Sequence, residues 1–326
     1  MDSNSGASRP LPPAVLLAGP TAAGKTGLAL ALADRLPVSL ISVDSAQVYC
    51  GMDIGSAKPD AATLARYPHA LIDLREPEQA YSAAEFAHDA EAAMRAAWSA
   101  GRLPLLVGGT MMYFRALLYG MDRLPAADPA FRQNIAERAA RTGWAALHHE
   151  LARIDPPSAA RIRPSDPQRI QRALEIHYLT GQPPSTLRQI KPRPRFAALR
   201  LVVTPSDRHI LHERIADRLD AMFGAGFLDE VRRLRERPDL GPGCASMKSV
   251  GYRQAWAHLD GAFGEQLFRQ RAQAATRQLA KRQLTALRQF TDSLWYDPGR
   301  SRTINWIFRQ VEGFFDRSQD SQPGEA

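Results

Sequence analysis

The 326 residues predict an α/β fold: a parallel sheet with helices on both faces, joined to an inserted all-helical module. Three observations carry this. A glycine-rich loop lies between an apolar strand and a helix. Apolar strands alternate with amphipathic helices as far as about residue 119, and beyond Gly120 the strand pattern stops while helical periodicity continues.

The elements follow in order. Ala14 to Ala18 reads as a short buried strand, and Leu28, Leu32 and Leu36 mark one face of a helix from Lys25 to Leu36. Between them stands Gly19-Pro20-Thr21-Ala22-Ala23-Gly24-Lys25-Thr26, a complete phosphate loop (G-x-x-x-x-G-K-T). Its glycines let several N–H groups turn toward one anion, the helix start adds partial positive charge, and Lys25 and Thr26 reach phosphate and Mg²⁺. Lysine is rare here, five of 42 basic residues. Lys25 is therefore no generic surface cation, and an ammonium fits inside a loop where a planar guanidinium suits open recognition.

Val38 to Val43 predicts the second strand, Ala70 to Leu74 a third, Ala83 to Ala100 a helix stopped by Gly101, Leu103 to Val107 a fourth strand, and Met111 to Tyr119 a helix. Residues 14–119 and 199–315 form the predicted core, 120–198 the inserted module, and 1–13 and 316–326 low-hydrophobicity tails. The module's exit, Gly181 to Pro194, holds four prolines and is not one helix. Leu199 to Val203 returns to the sheet, and the remainder reads as helical. In the helix from about Gly264 to Thr291, an apolar face runs through Phe268, Ala272, Ala275, Leu279, Ala286 and Phe290, with Arg277, Lys281 and Arg288 pointing away from it.

Composition bounds the function. Two cysteines, Cys50 and Cys244, form no disulfide framework and no metal spacing, and no segment is apolar enough for export or a membrane span, so the reading is a cytoplasmic protein without membrane association. Net charge is +8. Nine basic residues against Asp166 and Glu175 lie between Arg161 and Arg200, and six with no acid between Arg269 and Arg288. Two such blocks suit a polyanion larger than one nucleotide.

Ligands of such a sheet bind at the carboxyl ends of its strands. That places Asp44-Ser45-Ala46-Gln47-Val48-Tyr49 and Gly108-Gly109-Thr110 beside the phosphate loop. Asp44 suits a metal-side acid, a proton acceptor or a turn former, and Asp73, ending its strand, is a competing metal-side acid. Gly109 and Thr110 suit either a ligand contact or a tight turn.

With these motifs the chain resembles the tRNA dimethylallyltransferase family. The resemblance rests on the phosphate loop, Ile41 to Tyr49, Gly51 to Gly55, Ala57-Lys58-Pro59, Leu105 to Thr110, Asp166 to Glu175, Val250 to Gln254 and Ala280 to Thr285, and covers roughly residues 14 to 295. It implies that the loop holds dimethylallyl diphosphate and that the dimethylallyl group passes to N6 of the adenosine 3′ of the anticodon in tRNA. By the same resemblance Asp44 is the general base, Thr21, Lys25 and Mg²⁺ on Thr26 stabilise the leaving diphosphate, and an arginine clamp is Arg214 or Arg218, with Arg214 preferred. It further implies tRNA contacts at Asp44, Ser45, Ala46, Gln47, Thr110, Arg132, Gln168, Arg169, Ile170, Gln171 and Arg172. Others follow at Ser249, Val250, Gly251, Tyr252, Arg253 and Gln254, and at Lys281, Arg282, Gln283 and Arg288, with the module clasping the anticodon stem. No Cys/His cluster follows Cys244, which implies the bacterial form, acting as a monomer. Two rival readings use the same residues: an ATP-dependent small-molecule or nucleoside kinase with residues 120 to 198 as its lid, and an RNA-binding protein without chemistry.

Overall fold

The computed structural model describes residues 11–121, 124–187, 193–300 and 303–320. Most of the two expected tails, and Arg188 and Lys191 of the first basic block, lie outside the described residues. The chain divides into two compact units, one of residues 1–118 and 194–326, the other of residues 119–193.

The first half of the larger unit runs β1 (Ala14–Ala18), α1 (Lys25–Ala33), β2 (Val38–Val43), α2 (Ala61–Arg66), β3 (His69–Ala70), α3 (Ala83–Ser99), β4 (Leu103–Gly108) and α4 (Met111–Tyr119). The smaller unit holds α5 (Pro129–Ile154), α6 (Pro156–Arg161) and α7 (Pro167–Thr180). The larger unit then resumes with β5 (Ala198–Val203), α8 (Arg208–Gly224), α9 (Phe227–Arg235), a 3₁₀ turn at Ser246–Lys248, α10 (Tyr252–Leu259), α11 (Glu265–Leu287), β6 (Ser293–Tyr296) and α12 (Thr303–Asp320).

Six strands form one sheet in the order β3-β2-β4-β1-β5-β6, every neighbouring pair parallel. Because all strands point the same way, the turns after β1, β2 and β4 emerge on one edge. That edge is where a parallel sheet places its ligands. The central strands are apolar on both faces, and Val15, Leu17, Leu40, Leu105 and Leu201 share one core with Ala29 and Leu32 of α1 and Ile307 and Val311 of α12.

Four sequence expectations are corrected. Strand β3 stops at Ala70, because Leu71 and Asp73 take positive φ (66° and 53°), which no strand continues through. The remainder after β5 is not all helical, since Ser293–Tyr296 adds a sixth strand along β5. Helix α12 extends to Asp320, past the start of the expected tail. On α11 the buried side chains are Phe268, Ala272, Ala280 and Leu287. The apolar stripe is therefore rotated from the predicted one, since α11 packs on both α8 and α10, and it leaves Arg277 half-buried with its Nε enclosed. Among the described residues, no helix is long and apolar enough to cross a membrane.

In the smaller unit all three helices start the same way. Asp128-Pro129, Asp155-Pro156 and Asp166-Pro167 each put an aspartate at the cap, whose carboxylate accepts the N–H of Phe131, Ser158 or Arg169, and a proline in the first turn where no N–H is missed. Ile135, Leu147, Leu151, Ile170 and Leu174 form its core.

The loop after β2 is held from below by Glu230 of α9. This carboxylate is buried and accepts the N–H groups of Asp53 (3.0 Å), Ile54 (2.6 Å) and Gly55 (3.1 Å) and the Tyr252 hydroxyl (2.6 Å). Substitution Glu230→Gln keeps the shape but turns an NH₂ group toward N–H donors. It is expected to lower the free energy of urea unfolding by about 2–3 kcal/mol, and a loss below about 0.5 kcal/mol means that the four bonds do not hold this loop.

Candidate active site

The phosphate loop leaves β1 at Gly19 and enters α1 at Lys25. Two of its residues are left-handed. Gly24 (φ 92°) takes the conformation at no steric cost, whereas Ala22 (φ 62°) carries strain, as functional loops commonly do. The strain is held by packing: Ala22 lies against the cluster formed by Leu211 and Ile215 of α8 and Ala280 of α11. The Lys25 ammonium donates to the carbonyl of Pro20 at 2.7 Å, which curls the side chain back over the loop and leaves two of its three protons for a ligand.

A cavity of about 520 Å³ opens at this loop, walled by residues 22–27 on one side and by Arg214, Asp217, Arg218 and Pro298 on the other. Its electrostatics are one-sided. Withdrawal from water pushes the Lys25 pKa down to about 8, Asp44 opposes that shift, and Arg218 adds to it. Burial lowers the Arg218 pKa as well, again opposed by Asp44. Lys25, Arg218 and Asp44 thus lie within one field, two cations to one carboxylate. Arg214 sits one turn earlier on α8 and lines the same cavity, so both candidates for the clamp are present there, and Arg218 is the one whose charge acts on Lys25.

Asp44 does not line the cavity wall. It follows β2 in a tight turn, where its Oδ1 accepts the N–H of Ala46 (2.9 Å) and Gln47 (3.5 Å). The turn-former reading of Asp44 therefore holds, and the charge of the same carboxylate acts on Lys25. The turn is pinned by Thr110, whose hydroxyl oxygen accepts the Ser45 N–H (3.1 Å), and by Gln47, which accepts from the Ser42 hydroxyl (2.9 Å) and donates to the Ala57 carbonyl (3.2 Å). Asp73 lies against the Asp44 turn, its N–H donating to the Gln47 carbonyl at 3.2 Å, but its side chain is engaged in a separate ion cluster. Its carboxylate pairs with Lys58 at 2.5 Å, together with Asp53 and the carbonyl of Tyr49, around an ammonium whose side chain is only 3% exposed.

Thr26 is exposed at the cavity wall, so its hydroxyl is free to face a ligand-borne cation. No group of three or more His, Cys, Asp or Glu side chains among the described residues is placed to hold a metal ion. A magnesium ion fits here only as the partner of a phosphorylated ligand, with oxygen donors from phosphate, water and Thr26.

The residues expected to meet RNA separate by exposure. Ser45, Gln168, Arg169, Arg253, Lys281, Arg282 and Arg288 are exposed, and Ala46, Ser249 and Val250 are half-buried. Ile170 is wholly enclosed, Gly251 is buried, Tyr252 is buried with its hydroxyl on Glu230, and Gln254 is buried and caps α10 through the Gly251 N–H, so these side chains belong to the core. Arg132 and Arg172 both grip the fully buried Glu175, whose pKa is lowered by those hydrogen bonds against its burial, and Gln171 donates to the Arg132 carbonyl. Gln283 turns inward to the phosphate loop. The holders missed from sequence are Glu230 and Lys58. Lys58 had a usable signal, being one of the same five lysines that singled out Lys25.

Comparison with known proteins places this arrangement. The family description "IPP transferase" matches residues 47–290. A tRNA dimethylallyltransferase of Thiobacillus denitrificans is 57% identical over 290 residues, covering 88% of this chain and 92% of the relative. One from Bordetella petrii is 57% identical over 289 residues, covering 87% and 92%. The crystal structure of the tRNA isopentenylpyrophosphate transferase of Bacillus halodurans superposes with a TM-score of 0.69 at 34% identity, covering 95% of this chain and 98% of that one. With the family description matched over most of the chain and relatives of this name 57% identical to it, the chain belongs to the IPP transferase family, the tRNA dimethylallyltransferases.

Proposed function

We propose that this chain binds dimethylallyl diphosphate on the phosphate loop and transfers its five-carbon group to N6 of the adenosine 3′ of the anticodon in tRNA. The observation that supports it is the shared field of Lys25, Arg218 and Asp44. It offers a seat for diphosphate and a carboxylate beside it. Kinase chemistry needs the same loop, but family membership and the cations of α11 speak for an RNA acceptor.

The chemistry needs both parts. The N6 lone pair is delocalised into the purine, so the new N–C bond forms as the N6 proton passes to the Asp44 carboxylate and the allylic C–O bond breaks. The bonding pair leaves with the diphosphate. Lys25, Arg218, Arg214 and the loop N–H groups of Ala22 and Gly24 to Thr26 meet that charge, and a bound Mg²⁺, with Thr26 as protein ligand, would supply further charge neutralisation. To reach the turn the adenine is extruded from its stack. Exposed Lys281, Arg282 and Arg288 on α11, with Gln168 and Arg169 on α7, contact RNA phosphates, and the smaller unit contributes to the hold on the anticodon stem-loop. The enzyme works as a cytoplasmic monomer.

Three outcomes test this reading. Purified protein given dimethylallyl diphosphate and unmodified tRNA is expected to label the RNA without consuming ATP, and Asp44→Asn to retain RNA affinity while losing about 10²–10⁴ in kcat. Near-normal turnover of that variant takes the base role from Asp44. The second concerns pH. Since the free-site Lys25 pKa is lowered to about 8, the ammonium is charged below that pH and must take up a proton above it when an anion binds. Dimethylallyl diphosphate affinity without RNA should be flat below pH ~8 and fall above it by up to about tenfold per unit. Proton uptake measured by calorimetry in two buffers checks this, and a flat profile, or an unchanged slope in Lys25→Met, contradicts it. Third, Arg169→Ala should reduce the salt slope of RNA binding by about 0.7–0.9, and an unchanged slope means no phosphate lies there.

A further inference from the structure

We propose that Gln283 is a positioning residue, a strut through which α11 fixes the phosphate loop relative to the Asp44 turn. Its carboxamide bridges two backbones: Oε1 accepts the Thr21 N–H at 2.9 Å and Nε2 donates to the Gly109 carbonyl at 3.0 Å. One arm holds the middle of the phosphate loop. The other holds the turn after β4, where the neighbouring Thr110 donates its N–H to the Val43 carbonyl (3.2 Å) and accepts the Ser45 N–H on its hydroxyl (3.1 Å). A single side chain thus joins the diphosphate seat to the support of the carboxylate.

The seat of the strut is built for it. A Cβ on Gly109 would lie 2.4 Å from Gln283 Nε2 and 3.1 Å from the Gly19 carbonyl oxygen, so any side chain at 109 expels the amide. Glycine stands there to admit Gln283. The bridge also selects the residue type, because one end must accept and the other donate: glutamate offers acceptors only, and methionine of equal length offers neither strong bond. Beside the strut, Ala280 belongs to the cluster on which Ala22 packs, while Lys281 and Arg282 face solvent. The helix therefore presents cations outward and grips the loop inward, so seating a polyanion on it and ordering the loop involve the same rigid element.

This inference rests on the proposed function for what the two sites hold, and its test separates the two. In the full-length protein, kcat, KM for a tRNA stem-loop and KM for dimethylallyl diphosphate are measured beside the affinity for inorganic diphosphate without RNA and the urea midpoint. Gln283→Met is expected to lower kcat by about 10²-fold and to weaken inorganic diphosphate binding, with KM for the stem-loop within about threefold. Gln283→Glu, which keeps the Thr21 arm, should lie between it and the wild type. Gly109→Ala should reproduce the loss alone yet add less than about threefold to Gln283→Ala, since both remove the same bridge. A raised stem-loop KM with kcat and diphosphate affinity unchanged overturns the proposal in favour of direct RNA contact, and so does full additivity of the Gly109 and Gln283 substitutions. The diphosphate arm needs no turnover. A wild-type protein that binds diphosphate but transfers nothing therefore removes the proposed function while the strut is still judged.

Discussion

Two cations drawn partly out of water beside one carboxylate set the terms for the rest of the site. Burial lowers the pKa of both Lys25 and Arg218, and Arg218 lowers that of Lys25 further, so the loop holds positive charge at a cost. Asp44 relieves part of that cost without lining the cavity. Under the proposed function, the diphosphate would relieve the remainder on entering the cavity, which suits this pocket to a highly charged leaving group more than to a neutral ligand. The fold exists in that sense to bring three distant stretches together: residues 19–26 after β1, residue 44 after β2, and residues 214–218 of α8. Parallel strands aligned in one sheet supply the common edge, and Ala22 packed on α8 and α11 supplies the closing wall.

How much of this was legible in the sequence depends on whether the signal was local. The strand-loop-helix order around Lys25 and the placement of Asp44 and Thr110 at strand ends followed from pattern alone, because parallel β-α alternation fixes them without knowledge of distant partners. Asp73 failed for a local reason of another kind. Leu71-Ile72-Asp73 has the composition of a strand, but two positive φ angles end β3 and the carboxylate is taken by Lys58. Strand β6 was invisible because Ser-Leu-Trp-Tyr is only four residues long, and its strand character comes from pairing with β5. The rotated stripe of α11 was unreadable for the related reason that two helices pack on it. The duties of Glu230 and Gln283 are bridges across more than 170 residues of chain, which no local periodicity encodes.

Counting charge identified the kind of partner but overstated how many cations are free to meet it. Arg132 and Arg172 sit on a carboxylate with no solvent exposure, and their charge is spent within the smaller unit. Without them Glu175 would be a buried ion held by the Asp128 N–H and no cation, so those arginines build the unit first. The charge presented outward is borne instead by residues such as Arg169, Lys281, Arg282 and Arg288, which are exposed.

The position of Asp44 also bears on why the site suits carbon transfer rather than phosphoryl transfer. A phosphoryl group passes through a loose transition state in which catalysis is mostly positioning and charge neutralisation, and a base contributes modestly. An exocyclic amine conjugated to a purine is different, because it becomes a competent nucleophile only as its proton departs. The Asp44 carboxylate is held in the turn after β2 by two N–H groups through Oδ1, and its charge acts on the Lys25 ammonium. Under the proposed function, proton acceptor and anion seat would thereby be fixed with respect to each other before either substrate arrives, which is the arrangement a concerted loss of proton and diphosphate requires.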